Sequence, residues 1–261
     1  MLVADIHAFL DDRFSFEHAA AWDPVGLQLG EPGADSGRIA VCHEVTDGVV
    51  ERCVEMGIAT LVSYHPLLFE PTTAVIAGPT AAGRALQLLR RGVSLIVVHT
   101  AMDVAPRGTG DLLLEALGVS AAGFFAETED GSGYWIGRHG SLDGATTAQS
   151  FALTVSERLE TSVRVSGDLN KTIRSVCVLP GSGSSSTSEA ADIADVLVTG
   201  DVGHHSAQAA VQLGLVVIDA GHIQTERPGV NHLYDSVRAL APKALFIASD
   251  SHPWEDVFWK T

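Results

Sequence analysis

The chain has 261 residues, 46 % of them apolar and 18 % charged, which allows one large domain or two ordinary ones and excludes a disordered chain. Its 16 basic residues against 32 acidic ones leave a net charge of -16, shared by both halves, which argues against a broad nucleic-acid face and favours cations. No apolar run reaches the ~18 residues that would span a bilayer. The N-terminal MLVADIHAFLDDRF lacks the basic flank of a signal peptide. Cys42, Cys53 and Cys177 are too scattered for a disulfide framework or a CxxC metal site, so buried, reduced thiols in a cytoplasmic protein are expected.

In chain order, IHAFLDDRFSFEHA has helical spacing, and WDPVGLQLGEPG after it reads as a tight, packed connection. RIAVCHEV is a strand, and DGVVERCVEMG a helix stopped at Gly57. ATLVSYHP is a strand halted by Pro66. AAGRALQLLRRG is a helix, VSLIVVHTAMD a buried strand running into a loop, and TGDLLLEALG a further helix. After the Gly- and acid-rich ETEDGSGYWIG come a short strand in YWIGRHG, a helix in TAQSFALTVSERLE, and strands in RSVCVLP and ADIADVLVTGD. HSAQAAVQLG is then a helix, LVVIDAGH a strand, NHLYDSVRAL a helix and ALFIASD a last strand. This succession predicts an α/β fold.

The halves echo one another. ATLVSYHP, a helix and VSLIVVHTAMD correspond to ADVLVTGDVGHH, a helix and LVVIDAGHIQTE. Two related α/β lobes sharing one cleft are therefore expected, over residues 1–125 and 126–261, with the C-terminal part able to pack on the first lobe.

His65, His99 with Asp103, the pair His204–His205, and His222 with Glu226 all fall just beyond apolar strands. In open α/β sheets that edge binds ligands. Imidazoles and carboxylates from several strand ends can surround a divalent cation, although any one of them alone fits a structural role. His222 and Glu226 are four apart, the spacing of one helix face. Pro228 and Gly229 favour instead a helix that starts at Thr225 as N-cap with Pro228 in the first turn, which leaves Glu226 either a ligand or a first-turn capping acid. PGSGSSSTSE is either a strand-to-helix turn or an anion-binding loop, and it lacks the Walker lysine.

Together WDPVGLQLG, SYHPLLF, HTAMDVAPRGTGDLL and the pair TGDVGHHS and DAGHIQTE, over roughly residues 22–226, resemble the Nif-three-like family of dinuclear-metal-centre proteins, often labelled "GTP cyclohydrolase 1 type 2". The resemblance implies two intertwined α/β lobes with a metal cleft between them, and dimers assembled into a homohexamer. It implies one or two divalent ions held by His65, Asp103, His222 and Glu226, with Glu226 at the position that bridges two ions. His99 and His205 match positions lining the same cleft. Three residues depart from the family pattern. Tyr64 stands where the family has a ligand histidine, Pro24 where it has Asn, and His43-Glu44 where it has Leu-Asp. A phenol is a poor ligand at neutral pH, so the site near Tyr64 is expected to be the weaker one. His43 is the candidate replacement; it is either a bystander or a neighbour that orients a ligand, and only third a ligand itself.

The function expected on these grounds is a metal-dependent hydrolase acting on a small nucleotide-like or phosphorylated substrate. Zn, Mn, Fe or Co would suit its mixed N/O ligands, and His99 or His205 would serve as general acid/base or as an orienting neighbour. The alternative is a metal-binding scaffold or assembly protein without catalysis.

Overall fold

The computed structural model describes residues 1–249. Among the described residues the chain divides into two compact units: Met1–Phe16, Trp22–His99 and residues 233–249 form the first, and Glu17–Ala21 with Thr100–His232 the second. The chain passes from the first unit to the second after His99.

In the first unit, α1 (Val3–Phe14) precedes β1 (Gly26–Leu29), β2 (Arg38–Cys42), α2 (Asp47–Met56), β3 (Ile58–Ser63), α3 (Ala81–Arg90) and β4 (Ser94–Val97). The five-stranded sheet has the order β1-β4-β3-β2-β11, where β11 is Leu245–Phe246. β11, β2, β3 and β4 are parallel, and β1 is the antiparallel edge. The central strands are almost wholly buried, which is why they read as continuous apolar runs. The Thr46 side chain caps α2 through the Val49 N–H and Thr80 caps α3 through the Gly83 N–H, while Gly57 ends α2 in the left-handed conformation. Val49, Val50, Cys53 and Leu88 from these helices pack with Leu61, Leu95 and Val97 of the sheet.

The second unit begins as α4 (His99–Val104) leads into α5 (Thr109–Leu117). It continues with β5 (Ser120–Glu127), β6 (Trp135–Thr147), α6 (Ala148–Leu159), β7 (Arg164–Ser166) and β8 (Thr172–Ser182). After these come α7 (Thr187–Ile193), β9 (Val196–Gly200), α8 (His204–Gln212), β10 (Val216–Asp219) and the first part of α9 (His222–Leu240), which leaves this unit after His232. Its six strands are ordered β5-β6-β8-β9-β10-β7, with β8, β9 and β10 parallel. Leu113, Leu114 and Leu117 of α5 pack with Phe151 and Val155 of α6 and with Val176, Val196 and Val216 of the sheet. That packing makes α5 part of this unit.

The echo seen in the sequence is one of topology. α1-β1-β2-α2-β3-α3-β4 is matched by α6-β7-β8-α7-β9-α8-β10, and the strand orders 1-4-3-2 and 7-10-9-8 coincide. In both, the short antiparallel edge strand pairs with the last parallel one.

Two local expectations are corrected, those for the loop after VSLIVV and for the strand in YWIGRHG. The loop after VSLIVV is the short helix α4, and β6 runs for 13 residues rather than a few. PGSGSSSTSE is a turn: β8 extends through Ser182, the Gly183 N–H donates to Thr199 Oγ1 at 2.8 Å, and α7 has only seven residues. All three cysteines are free and buried, and burial pushes the Cys53 and Cys177 thiols up to about 11 and about 12 and that of Cys42 higher still. Among the described residues no helix is long and apolar enough to cross a membrane.

Candidate metal centre

In the first unit the parallel ladder continues past its strand ends. The Tyr64 N–H donates to Cys42 O at 3.1 Å, the His65 N–H to His43 O at 2.8 Å and the His99 N–H to Tyr64 O at 3.0 Å. Three imidazoles are thereby set side by side at one sheet edge. The His43 and His65 rings are 4.8 Å apart and those of His65 and His99 5.1 Å. The buried Tyr64 ring stacks on His43 at 5.7 Å and meets His65 and His99 edge-on. His99 Nδ1 lies 2.9 Å from Oδ1 of the buried Asp23, which orients the ring. At φ 28° His99 is a non-glycine residue in the left-handed region, where strain persists only if the surroundings enforce it. Here the Asp23 contact and the backbone bond to Tyr64 do so. Asp23 was not singled out by the sequence reading; the Asp-Pro of WDPVGLQLG was visible only as a turn.

In the second unit the predicted start of the last long helix is corrected. α9 begins at His222, not around Thr225, and Pro228 is its seventh residue. The break is made by Gly221 at φ 86°, whose N–H donates to Asp219 Oδ1 at 3.1 Å. Thr225 is used inside the helix: its Oγ1 accepts from the Gly181 N–H at 2.9 Å and bonds back to Gly221 O. The four-residue spacing therefore acts as a helix face, and His222 Nε2 lies 3.2 Å from Glu226 Oε1. His222 Nδ1 lies 2.7 Å from Asp201 Oδ2, a partner supplied by the end of β9. Burial alone would lower the imidazole pKa. The Glu226 carboxylate, with Asp201 behind it, outweighs burial and raises the value to about 9. Gly181 keeps this edge clear, because a Cβ there would stand 2.4 Å from Glu226 Oε1 and 3.3 Å from His222 Nε2.

Asp103 is the other carboxylate of this unit. The Thr109 hydroxyl donates to its Oδ1, and the buried Arg138 donates to its backbone carbonyl at 3.2 Å while pairing with Asp111 at 2.8 Å. Gly229 of α9 is where Thr109 is accommodated, since a Cβ there would fall 2.3 Å from the Thr109 methyl. His205 is exposed in the first turn of α8, and its ring contact is with His204.

Each unit thus presents imidazole and carboxylate groups beyond the carboxyl ends of parallel strands: His43, His65 and His99 with Asp23 in one, His222 and Glu226 with Asp201 and Asp103 in the other. The donor chemistry fits a divalent ion of borderline hardness. The class defined is a two-unit α/β protein with imidazole and carboxylate side chains gathered at its sheet edges.

The chain belongs to the Duf34/NIF3 (NGG1p interacting factor 3) family, whose model matches residues 1–253. It is 30 % identical over 246 residues to a "GTP cyclohydrolase 1 type 2 homolog" of Nostoc sp., covering 92 % of each chain. It is 31 % identical over 262 residues to the homolog of that name in Streptomyces coelicolor, covering 97 % of this chain and 88 % of the relative. Among solved structures, a hypothetical protein of Staphylococcus aureus superposes with a TM-score of 0.86 at 25 % identity over 98 % of this chain and 99 % of its own. A Bacillus cereus protein related to NIF3 gives 0.82 at 22 % identity over 99 % of both, which is a likeness of fold.

Proposed function

We propose that this chain is a divalent-metal protein that hydrolyses a small phosphorylated or nucleotide-like substrate. The observation that carries the reading is the row of imidazoles at one sheet edge of the first unit, His43 to His65 at 4.8 Å and His65 to His99 at 5.1 Å, with Glu226 a further ligand on the family resemblance. His222 and Asp103 would complete the ligand set for one or two ions, and Zn, Mn, Fe or Co match mixed nitrogen and oxygen donors better than Ca does. In this set His43 serves as the imidazole that Tyr64 cannot supply.

A bound divalent ion supplies Lewis acidity and lowers the pKa of a water. The side chains do the rest. Asp23 holds Nδ1 of His99, which leaves Nε2 to take or give a proton at the reacting atom. Asp201 plays the same orienting part for His222, fixing Nδ1 so that Nε2 is the donor atom. Thr109 and Arg138 hold Asp103 by its carboxylate and its carbonyl. His205 is a second candidate acid/base. The free, buried thiols suit a reducing compartment such as the cytoplasm. The name carried by the Nostoc and Streptomyces relatives makes a purine nucleotide one substrate to try, and a homohexamer is the expected assembly.

Elemental analysis of the purified protein, alone and with His65→Ala, tests the metal. A screen of phosphoesters and nucleotides with Zn, Mn, Fe and Co tests the reaction, and light scattering tests the assembly. About one or more ions per chain, lost in the variant, with metal-dependent turnover is the expected result. Metal without turnover of any compound would replace the hydrolase by a metal-binding assembly protein, and no metal would overturn the reading.

A further inference from the structure

The first unit carries two exposed aromatic side chains that neither the core nor the donor set uses. Trp22 is 56 % exposed and Phe69 47 % exposed, and their rings meet edge-on with centroids 5.8 Å apart. Both also stand edge-on to His99, at 6.2 and 6.3 Å. Trp22 adjoins Asp23, which holds the His99 imidazole, and Phe69 lies four residues beyond His65.

The two loops that carry these rings are stapled together. The Gln28 amide of β1 donates to Pro24 O at 2.8 Å and to Leu68 O at 3.2 Å, and its carbonyl accepts the Leu67 and Leu68 N–H groups at 3.1 and 3.0 Å. Both ends of the amide are therefore spent on fixing the segment after Trp22 against the segment before Phe69. Exposed aromatics on flexible loops would be ordinary surface. An exposed pair pinned by a four-bond staple beside a reactive imidazole is a preorganised face. In a chain of net charge -16, stacking also offers a grip on an anionic substrate that surface charge does not.

We propose that Trp22 and Phe69 form a stacking platform for a planar aromatic ring of the substrate, setting the substrate beside His99. The inference rests on the metal-hydrolase reading for the identity of the reacting end, but the ring selectivity is measurable without turnover. The occupant is a flat ring of a small molecule, with the heteroaromatic base of a nucleotide as the representative chemistry.

Equilibrium dialysis of the full chain, as purified, with adenosine 5′-monophosphate and with ribose 5-phosphate separates ring from phosphate. The ring-bearing probe should bind at least about tenfold tighter. Trp22→Ala should bring the two probes to similar affinity, Phe69→Ala should narrow the gap, and Trp22→Phe should keep most of it, all at unchanged metal content and unchanged melting temperature. Equal affinities in the parent, absence of binding at millimolar probe, or a preference that survives Trp22→Ala would overturn the platform. So would a change of subunit number in light scattering with ring preference intact, which would assign the face to a second copy. Loss of metal from the parent with the ring preference present would strike the metal reading and leave this one standing.

Discussion

Glu226→Gln tests the second unit's half of the proposed centre by a route that needs no substrate. In the metal-free protein His222 is set between two carboxylates, with Nε2 3.2 Å from Glu226 and Nδ1 2.7 Å from Asp201. Burial works against its charge, yet its pKa stands at about 9 rather than 6.5, and Glu226 is the largest of the contributions that raise it. An amide keeps the shape and removes the charge. The His222 midpoint should then fall by more than a unit, back toward 6.5, with Asp201 alone left to oppose burial. At pH 7.5 that takes the imidazole from ~97 % charged to about three-quarters or less, and to about a tenth if the midpoint returns to 6.5. The sign for folding follows from the direction of the shift. Because the folded value is above the unfolded one, the pair's contribution is fully present below pH 6.5, and it is lost as pH rises from 6.5 through about 9. The variant should lose that slope. A metal ligand must shed the same proton, so in the parent metal affinity should rise roughly tenfold per pH unit up to about 9. NMR titration of the imidazole Cε1–H signals in chelator-treated protein reads the midpoint, and elemental analysis reads the metal. A His222 midpoint still near 9 in the variant, or unchanged metal stoichiometry, would refute the reasoning.

Three further perturbations probe separate parts of the structure. Gly181→Ala puts a Cβ 2.4 Å from Glu226 Oε1 at a backbone φ of 71°, so it should lower metal content and cost about 1–2 kcal/mol in a melt; an unaltered melt and metal content would show that Glu226 does not depend on that cleared space. His43→Ala should reduce bound metal whereas Tyr64→His should increase it, because a neutral imidazole replaces a phenol in the ring cluster of the first unit; elemental analysis that finds neither change would remove His43 and Tyr64 from the centre. Cys42, Cys53 and Cys177 should resist a thiol reagent at pH 8 in the folded protein and all react on denaturation, since burial raises each thiol well above that pH; rapid labelling of the native chain would contradict their burial.

What could be read from the sequence was local. β2, β3, β4, β8, β9 and β10 announce themselves as continuous apolar runs because helices cover the parallel strands, and the gaps between them show helical period and glycine stops. β5 and β7 lack that signal. β5 is exposed along most of its length, and β7 is three residues that exist as a strand by pairing Val165 with Ile218. The start of α9 is masked in the sequence because proline marks first turns so often that Pro228 outweighs Gly221, whose positive φ makes the real break.

The site itself depends on register, which no local pattern carries. His43 lies beside His65 because β2 pairs Cys42 with Ser63, and His65 lies beside His99 because β3 pairs Ser63 with Val97. A slip of one residue in either pairing would turn the neighbouring side chain to the opposite face and break the row of three imidazoles. The register is held by burial: Val41, Cys42, Leu61, Val62, Leu95 and Ile96 are all fully inaccessible, so a shifted strand would move a row of apolar side chains out of their places. The same logic explains why Asp23 was invisible, since its partner His99 is brought to it by the sheet and not by any spacing in the chain. The histidines that carry the proposed chemistry are thus placed by the apolar residues that precede them. Substitutions such as Val62→Ala or Ile96→Ala, each about 1–4 kcal/mol in cost, act on the centre without touching a ligand.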